Sequence, residues 1–229
     1  MTDFGALLFG VTVWALPLIL AVTLHEAAHG YAALAMGDDT AQRMGRISLN
    51  PLRHIDPFGT IILPGLLLAV GGVMFGWAKP VPVNFLRLRN PRWGMVVVAA
   101  AGPAMNLALA LAAVLAVNLV PYVPEMGRSW FFLNLDNAIY FNLLLAVFNM
   151  IPLPPLDGGR VAVGLLPRAL ALPLARMEKA GILILLGFMF LLPMLGERIG
   201  VNLNVFDWLV HGPVEAIGRW LVRVLISAG

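Results

Sequence analysis

The stretch FGALLFGVTVWALPLILAVTLHEAAHG, residues 4–30, decides how this chain folds. Residues 4–24 contain no Asp, Glu, Lys or Arg and are long enough to cross a bilayer as one α-helix. They lack the basic start and the small-residue cleavage site of a secretory signal, so we expect a retained membrane span. The stretch continues into His25, Glu26 and His29, polar side chains that are costly at membrane depth unless they have a function.

The composition of the whole chain is that of a multi-pass membrane protein. Of its 229 residues, 60% are hydrophobic and 12% are charged, and the mean hydropathy is +0.88. A soluble domain usually has about 25% charged residues. The sequence has no cysteine, which excludes disulfides and thiolate ligands. The net charge of +3 is small and the basic residues lie between apolar runs, so we expect a lipid bilayer and no nucleic acid as partner.

Most of the remaining chain is also apolar. Uncharged runs cover residues 58–78, 93–124, 137–156 and 180–196. In the tail, 201–228, polar residues recur every four positions and predict one polar stripe on a C-terminal amphipathic helix. The stripe consists of Asp207, His211, Glu215, Arg219 and Arg223. We expect one membrane-embedded domain over 1–229, with a core at 10–170 and C-terminal helices at 171–229.

The predicted fold class is an all-α polytopic membrane protein with about five to six membrane helices or re-entrant segments. Two stretches, 41–50 and 78–88, alternate in polarity and are bounded by turn residues, so we also expect short membrane-associated β-strands there. Pro80 and Pro82 would confine the second strand to a sheet edge or to irregular extended chain.

The distribution of Lys and Arg predicts the topology. Most of these residues lie in three loops, 37–57, 77–93 and 157–179. If 58–78 crossed the membrane completely, two of these basic loops would lie on opposite sides, whereas a re-entrant 58–78 makes all three cytoplasmic. Its prolines and glycines favour a broken, protein-buried element. We therefore expect an external N-terminus and a re-entrant 58–78, with a plain kinked span as the alternative.

The HEAAH motif has the spacing of a zinc site. On a helix, His25 and His29 project from one face one turn apart, and two such imidazoles can hold one Zn²⁺. Glu26 lies about 100° round the helix and can reach a zinc-activated water without being a ligand. The alternative is a helix end at the membrane interface where both histidines only form hydrogen bonds.

A catalytic zinc needs a third protein ligand, and without cysteine the candidates are His54, His211, Asp and Glu. The best candidate is Asp157 in NMIPLPPLDGGR, residues 149–160. The prolines prevent a regular helix before Asp157, and the glycines after it allow close backbone approach. These residues are Pro152, Pro154, Pro155, Gly158 and Gly159. The alternative for Asp157 is a helix N-cap.

Three motifs occur in a characteristic order: HEAAH at 25–29, GPAMN at 102–106 and NMIP…LDGG at 149–159. They match HExxH, G-P-x-x-N and N-x-x-P-x-x-x-L-D-G, and over roughly residues 10–170 the chain resembles the site-2 protease family of intramembrane zinc metallopeptidases. The stretches NPLRHIDPFGT and GWAKPVPVN resemble its small subgroup without PDZ or CBS domains.

This resemblance implies a role for each matching residue. His25, His29 and Asp157 would bind one Zn²⁺, and Glu26 would be the general base and later the proton donor to the leaving amine. Asn149 would be a second catalytic residue that positions the substrate or stabilises the oxyanion, with a helix-end cap as the alternative.

Two further residues are candidates for substrate binding. Asn106 belongs to the G-P-x-x-N motif, although it could instead hold two spans together. His54 could lie at the entrance of the site, although a hydrogen bond within its own loop is the alternative.

The implied activity is that of a zinc metalloendopeptidase acting in regulated intramembrane proteolysis. Its substrate would be a single-span membrane protein, cut within or near the span. We expect a multi-pass protein of a bacterial-type cell membrane, with the active site nearer the cytoplasmic side. Two alternatives are an intramembrane zinc transporter and an inactive scaffold that binds helices, since intramembrane His, Asp and Glu also mark ion paths. A carrier often has a repeated half, and no internal repeat is visible in the sequence.

Overall fold

The computed structural model describes residues 3–62, 66 and 78–226. Three long helices form its centre: α1 (Asp3–Ala35), α3 (Pro91–Ala116) and α4 (Glu125–Asn149). The shorter helices are α2 (Thr40–Arg43), α5 (Asp157–Leu165), α6 (Arg168–Arg176), α7 (Glu178–Leu186), α8 (Leu192–Ile199) and α9 (Gly212–Ile226). Short 3₁₀ and π-helical turns lie at Pro51–Arg53, Pro57–Ile62, Phe85–Arg87, Val117–Tyr122, Gly187–Leu191 and Asp207–His211.

Within the described residues, four helical stretches are long and apolar enough to cross a membrane, which confirms the class of all-α membrane protein. They are Phe4–Ala35, Pro91–Tyr122, Glu125–Asn149 and Glu178–Ile199. Most of the predicted re-entrant region 58–78 lies outside the described residues. The total of five to six membrane segments therefore stays a prediction.

The two β-strands predicted from the sequence do not form in the part of the chain that the structure describes. Thr40–Arg43 is a helical turn, and residues 78–84, here called the 78–84 segment, are irregular. The physical reason is that side chains take the hydrogen bonds a partner strand would make. The Arg46 guanidinium donates to the carbonyls of Lys79 at 2.9 Å and Pro80 at 3.3 Å. Proline also lacks the N–H that a strand ladder needs.

The helices of the bundle pack through small residues. Helices α1, α3 and α4 contact one another, and α5 packs on α3. Ala21 of α1 and Ala110 of α3 have no solvent-exposed surface. Large side chains of α1 such as Leu8 and Trp14 point outward and are more than half exposed. This distribution is typical of membrane helices, whose backbones approach closely where the interface residues are small.

An arginine fixes α5 to the start of α3. Arg92 donates to the carbonyls of Gly164 at 2.6 Å, Leu165 at 3.2 Å and Leu166 at 2.7 Å. The last carbonyls of a helix have no partner within the helix, so this guanidinium satisfies three of them at the end of α5. The contact holds α5 in place, and α5 begins with Asp157.

The C-terminal helix α9 covers α4. Val210 and Val214 are buried in one cluster with Leu143 of α4. On the exposed side of α9, Glu215 and Arg219 form an ion pair at 2.9 Å. The amphipathic helix predicted for the tail therefore packs its apolar face on the bundle.

Candidate metal centre

Helix α1 presents two buried imidazoles on one face. His25 and His29 are 6% and 9% exposed, and their Nε2 atoms lie 3.1 Å apart. Their i, i+4 spacing on a continuous helix accounts for this proximity. Glu26, next to His25, is half-buried.

A carboxylate from a different part of the chain completes the group. Asp157 is the first residue of α5, and its Oδ2 lies 3.2 Å from Nε2 of His25 and 3.3 Å from Nε2 of His29. All candidate ligand atoms of the three residues lie within 4.8 Å of one another. The structure therefore brings together the three residues that the sequence proposed as metal ligands.

The connection before Asp157 is tightly folded. Helix α4 ends at Asn149, ahead of the proline-rich loop. A Cβ at Gly158 would collide with the Met150 carbonyl, and one at Gly159 would collide with the backbone of Pro154. Glycine is required at both positions because the start of α5 packs directly against this loop. The prolines and glycines thus place Asp157 against α1.

Hydrogen bonds fix the orientation of both imidazoles. Nδ1–H of His29 donates to the Val98 carbonyl at 2.7 Å, and Nδ1 of His25 lies 2.5 Å from Oδ1 of Asn106. A neutral imidazole carries one proton, so donation through Nδ1 leaves the lone pair on Nε2. Both Nε2 lone pairs are then directed towards Asp157.

This donor set fits a zinc ion. When both imidazoles are neutral, two Nε2 lone pairs and a carboxylate oxygen converge, and Oδ2 of Asp157 is buried with no hydrogen-bond partner among the described residues. Three buried acceptors at such distances repel one another unless a cation lies between them. Two imidazoles and one carboxylate, with outer hydrogen bonds orienting the rings, form a common catalytic zinc set.

Helix α3 lies directly over the two rings. A Cβ at Gly102 would be 2.5 Å from Nε2 of His29 and 2.6 Å from Nε2 of His25. Only glycine allows this approach, so the Gly residue of the GPAMN motif sets the distance between α3 and the imidazoles.

The 78–84 segment contacts Glu26. The amide N–H of Val81 donates to Oε2 of Glu26 at 2.8 Å. One turn further along α1, a Cβ at Gly30 would be 3.0 Å from Ile47 and 3.3 Å from Val81. Glycine at position 30 therefore allows the segment to lie close to α1.

Comparison with known proteins identifies the family. The model of peptidase family M50 matches the chain at residues 13–127 and 125–194. The chain belongs to peptidase family M50. The resemblance to the site-2 protease family is thereby confirmed.

Several relatives of this M50 peptidase carry the printed name "Putative zinc metalloprotease". YwhC of Bacillus subtilis is 43% identical over 174 residues, 74% of this chain and 76% of the relative. Rip2 of Mycolicibacterium smegmatis is 30% identical over 141 residues, 61% of this chain and 52% of the relative. The protein sll0528 of Synechocystis is 31% identical over 160 residues, 67% of this chain and 33% of the relative. No solved structure matches the chain.

Family membership and geometry agree on the broad class. The protein is an integral membrane protein of a zinc metalloprotease family, it resides in a lipid bilayer, and its cofactor is zinc.

Two other candidate residues of this M50 peptidase have local contacts. Asn149 donates from its amide nitrogen to the carbonyl of Leu145 in its own helix at 3.0 Å. His54 is 3% exposed and donates to the Ser48 carbonyl at 2.8 Å. The loop hydrogen bond considered for His54 is thus present. Catalysis by Asn149 and substrate binding by His54 stay predictions.

Asn106 contacts His25 at Nδ1, the ring nitrogen opposite the Nε2 that faces Asp157. It has no exposed surface, and its amide nitrogen donates to the Ala21 carbonyl of α1 at 3.2 Å. The interhelical contact considered for this residue is therefore present, in addition to the bond to His25. A group without exposed surface presents nothing to a substrate, so the geometry favours an internal role for Asn106 over the substrate-binding role expected from the sequence.

The sequence analysis missed Asn142. This buried amide of α4 accepts a hydrogen bond from Asn106 at 2.8 Å. The available signal was an asparagine within the uncharged run 137–156, two helical turns before Asn149.

Proposed function

We propose that this M50 peptidase is an intramembrane zinc endopeptidase. It would hydrolyse a peptide bond within or near the transmembrane segment of a single-span membrane protein. The observation that carries the proposal is the group formed by His25, His29 and Asp157, buried between membrane helices with converging lone pairs. A buried carboxylate at membrane depth is costly and is usually functional.

The residues have distinct roles in this proposal. His25 and His29 hold the metal through Nε2, and Asp157 holds it through its carboxylate. Bound zinc supplies a Lewis acid that lowers the pKa of water towards neutrality and polarises a carbonyl. Glu26 takes the proton from the attacking water and later returns it to the leaving amine. Glu26 is next to a ligand in the helix, is half-buried and is not one of the three residues whose ligand atoms converge, which suits a base that acts without binding zinc itself.

The 78–84 segment supports the choice of a helical substrate. Hydrolysis needs an unwound peptide bond, and in lipid the freed backbone groups need new partners. The segment is irregular, with its backbone beside Glu26, so it can pair with an unwound substrate by strand addition once the substrate replaces the Arg46 hydrogen bonds to its carbonyls. The Lys and Arg distribution favours a site nearer the cytoplasmic side of a bacterial-type cell membrane.

The proposal is tested with purified protein in liposomes that contain a single-span test substrate. We expect a cut inside the span that a zinc chelator abolishes. Glu26→Gln should keep one bound zinc and the fold but lose cleavage, because the amide cannot accept the proton. Glu197→Gln on α8, which replaces an exposed carboxylate, is the matched control and should cleave normally.

Each other outcome identifies an alternative. Zinc flux across the liposome without cleavage would indicate a transporter. Substrate binding with neither cleavage nor flux would indicate an inactive scaffold. Normal turnover by Glu26→Gln would remove the general-base role of Glu26.

A further inference from the structure

A chain of side-chain amides connects His25 to the far side of the bundle. Oδ1 of Asn106 lies 2.5 Å from Nδ1 of His25, and Nδ2 of Asn106 donates to Oδ1 of Asn142 at 2.8 Å. Nδ2 of Asn142 donates to the Ala138 carbonyl at 2.8 Å. The three side chains come from α1, α3 and α4, and each is at most 6% exposed.

Two backbone carbonyls set the direction of every hydrogen bond in this chain. The carbonyls of Ala138 and Ala21 can only accept, so Asn142 and Asn106 must turn their NH₂ groups towards them. The oxygen of Asn142 then accepts from Asn106, and the oxygen of Asn106 is left to accept from His25. Nδ1 of His25 must therefore carry the proton, and Nε2 carries the lone pair.

We propose that Asn142 is a positioning residue of the zinc centre. Acting through Asn106, it sets the tautomer of His25 that exposes Nε2 to the metal. The inference rests on the proposed ligation of zinc by His25. Without Asn142, one N–H of Asn106 loses its acceptor, and only the longer hydrogen bond to the Ala21 carbonyl, at 3.2 Å, holds the amide in place. The Asn106 amide can then rotate at a lower cost to present its NH₂ to His25. His25 would then be protonated on Nε2, which blocks ligation.

His29 provides an internal reference, because its orientation does not depend on the amides. Its Nδ1–H donates directly to the Val98 carbonyl. A change in the amide chain should therefore alter the tautomer of His25 and leave that of His29 unchanged.

A matched pair of variants separates this role from simple helix packing. Asn142→Leu removes the end of the amide chain. Asn137→Leu removes another side-chain amide of α4. That amide donates to the Val13 carbonyl of α1 at 3.1 Å and does not belong to the chain of amides that reaches His25. We expect both variants to lose thermal stability. Only Asn142→Leu should weaken zinc binding, by about 10-fold, the lower end of the loss that is typical when the hydrogen-bond partner of a ligand is itself removed.

The second measurement is the nitrogen spectrum of the imidazoles in zinc-free, ¹⁵N-histidine-labelled protein. We expect His25 to be protonated on Nδ1 in the wild type and in Asn137→Leu, and to populate the Nε2-protonated form in Asn142→Leu. If Asn142→Leu does not fold, Asn142→Ala, which leaves a smaller side chain, is measured in the same way.

The proposal is overturned if the His25 tautomer and the zinc affinity are unchanged in a folded Asn142 variant. A purely structural role would produce that result together with a lower melting temperature. Neither readout requires cleavage, so a failure of the protease proposal would be recognised separately in the activity assay. Absence of zinc binding in the wild type would contradict the metal centre itself.

Discussion

Gly102 determines how closely α3 can approach the two candidate histidine ligands. The space in front of its Cα is already filled by both imidazoles. We predict that Gly102→Ala displaces the rings and weakens zinc affinity by about 10-fold or more, since about 1.4 kcal/mol of lost interaction is sufficient. The measurement is zinc competition with a chromogenic chelator.

The control for this prediction is Gly10→Ala in α1. A Cβ there meets nothing within 4 Å, so zinc affinity should not change and the helix should become slightly more stable. Unchanged zinc binding in Gly102→Ala would show that α3 can move away without disturbing the site.

Among the individual residues of the candidate metal centre, some could be predicted from the sequence and others could not. The proximity of His25 and His29 could be predicted because helix geometry brings i and i+4 together. Asp157 could be proposed from the absence of cysteine and from its motif, but its distance from the histidines depends on how α5 packs. Asn142 was missed because an amide in an apolar helix has many possible partners, and its partner Asn106 lies on another helix.

Among the elements, the 78–84 segment shows why the strand prediction was wrong. Alternating polarity indicates extended chain, and residues 78–84 are indeed not helical. A strand also needs a partner backbone, which the alternation cannot supply. The backbone N–H of Asn84 instead donates to Oδ2 of buried Asp38 at 2.6 Å. Side chains therefore hold the segment to the end of α1.

Because Asp38 is ionisable, the stability that this attachment contributes should depend on pH. Burial raises the pKa of Asp38, but the hydrogen bonds from Thr40 and Asn84 and the nearby Arg87 outweigh burial and hold the pKa below its ordinary value. A lowered pKa means that Asp38 stabilises the fold fully above about pH 5 and loses this contribution as the pH falls below the unfolded value of about 3.9.

We predict that Asp38→Asn lowers the melting temperature at pH 7 and that the difference from wild type shrinks below about pH 4. The reason is that the side-chain NH₂ of the introduced asparagine, like the OH of a protonated carboxyl, places a hydrogen-bond donor against a backbone N–H such as that of Asn84. Thermal melts between about pH 3 and pH 7, a range that brackets the ordinary pKa of an aspartate, measure the effect. Asp207→Asn, at an exposed position, should differ little from wild type at any pH. A difference for Asp38→Asn that persists at low pH would contradict the ionised state of Asp38.

For the whole molecule, the class of membrane protein follows from composition, because long uncharged runs are stable mainly in lipid. The number of spans and the topology do not follow as directly. Prolines and glycines make region 58–78 compatible with both a kinked span and a re-entrant segment. The orientation of the N-terminus therefore stays a prediction that labelling of single introduced cysteines can test.

Zinc should stabilise the entire fold, because its three proposed ligands join α1 to α5. At a concentration 100-fold above its dissociation constant, zinc adds about 2.7 kcal/mol, which corresponds to a rise in melting temperature of about 5–10 °C. A chelator should reverse the rise, and Asp157→Ala should not show it. An equal rise in Asp157→Ala would place the stabilising zinc elsewhere.

Helix α3 contacts both imidazoles of the candidate metal centre and the helix that carries its carboxylate. Its Val98 carbonyl and Asn106 form hydrogen bonds to the two imidazoles, and Gly102 lies against both rings. Its Arg92 donates hydrogen bonds to the end of α5, the helix that begins with Asp157. If α3 slid or tilted against α1, it would disturb both rings and the carboxylate together. An opening that admits a substrate without loosening the metal must therefore come from elements on the other side of the site.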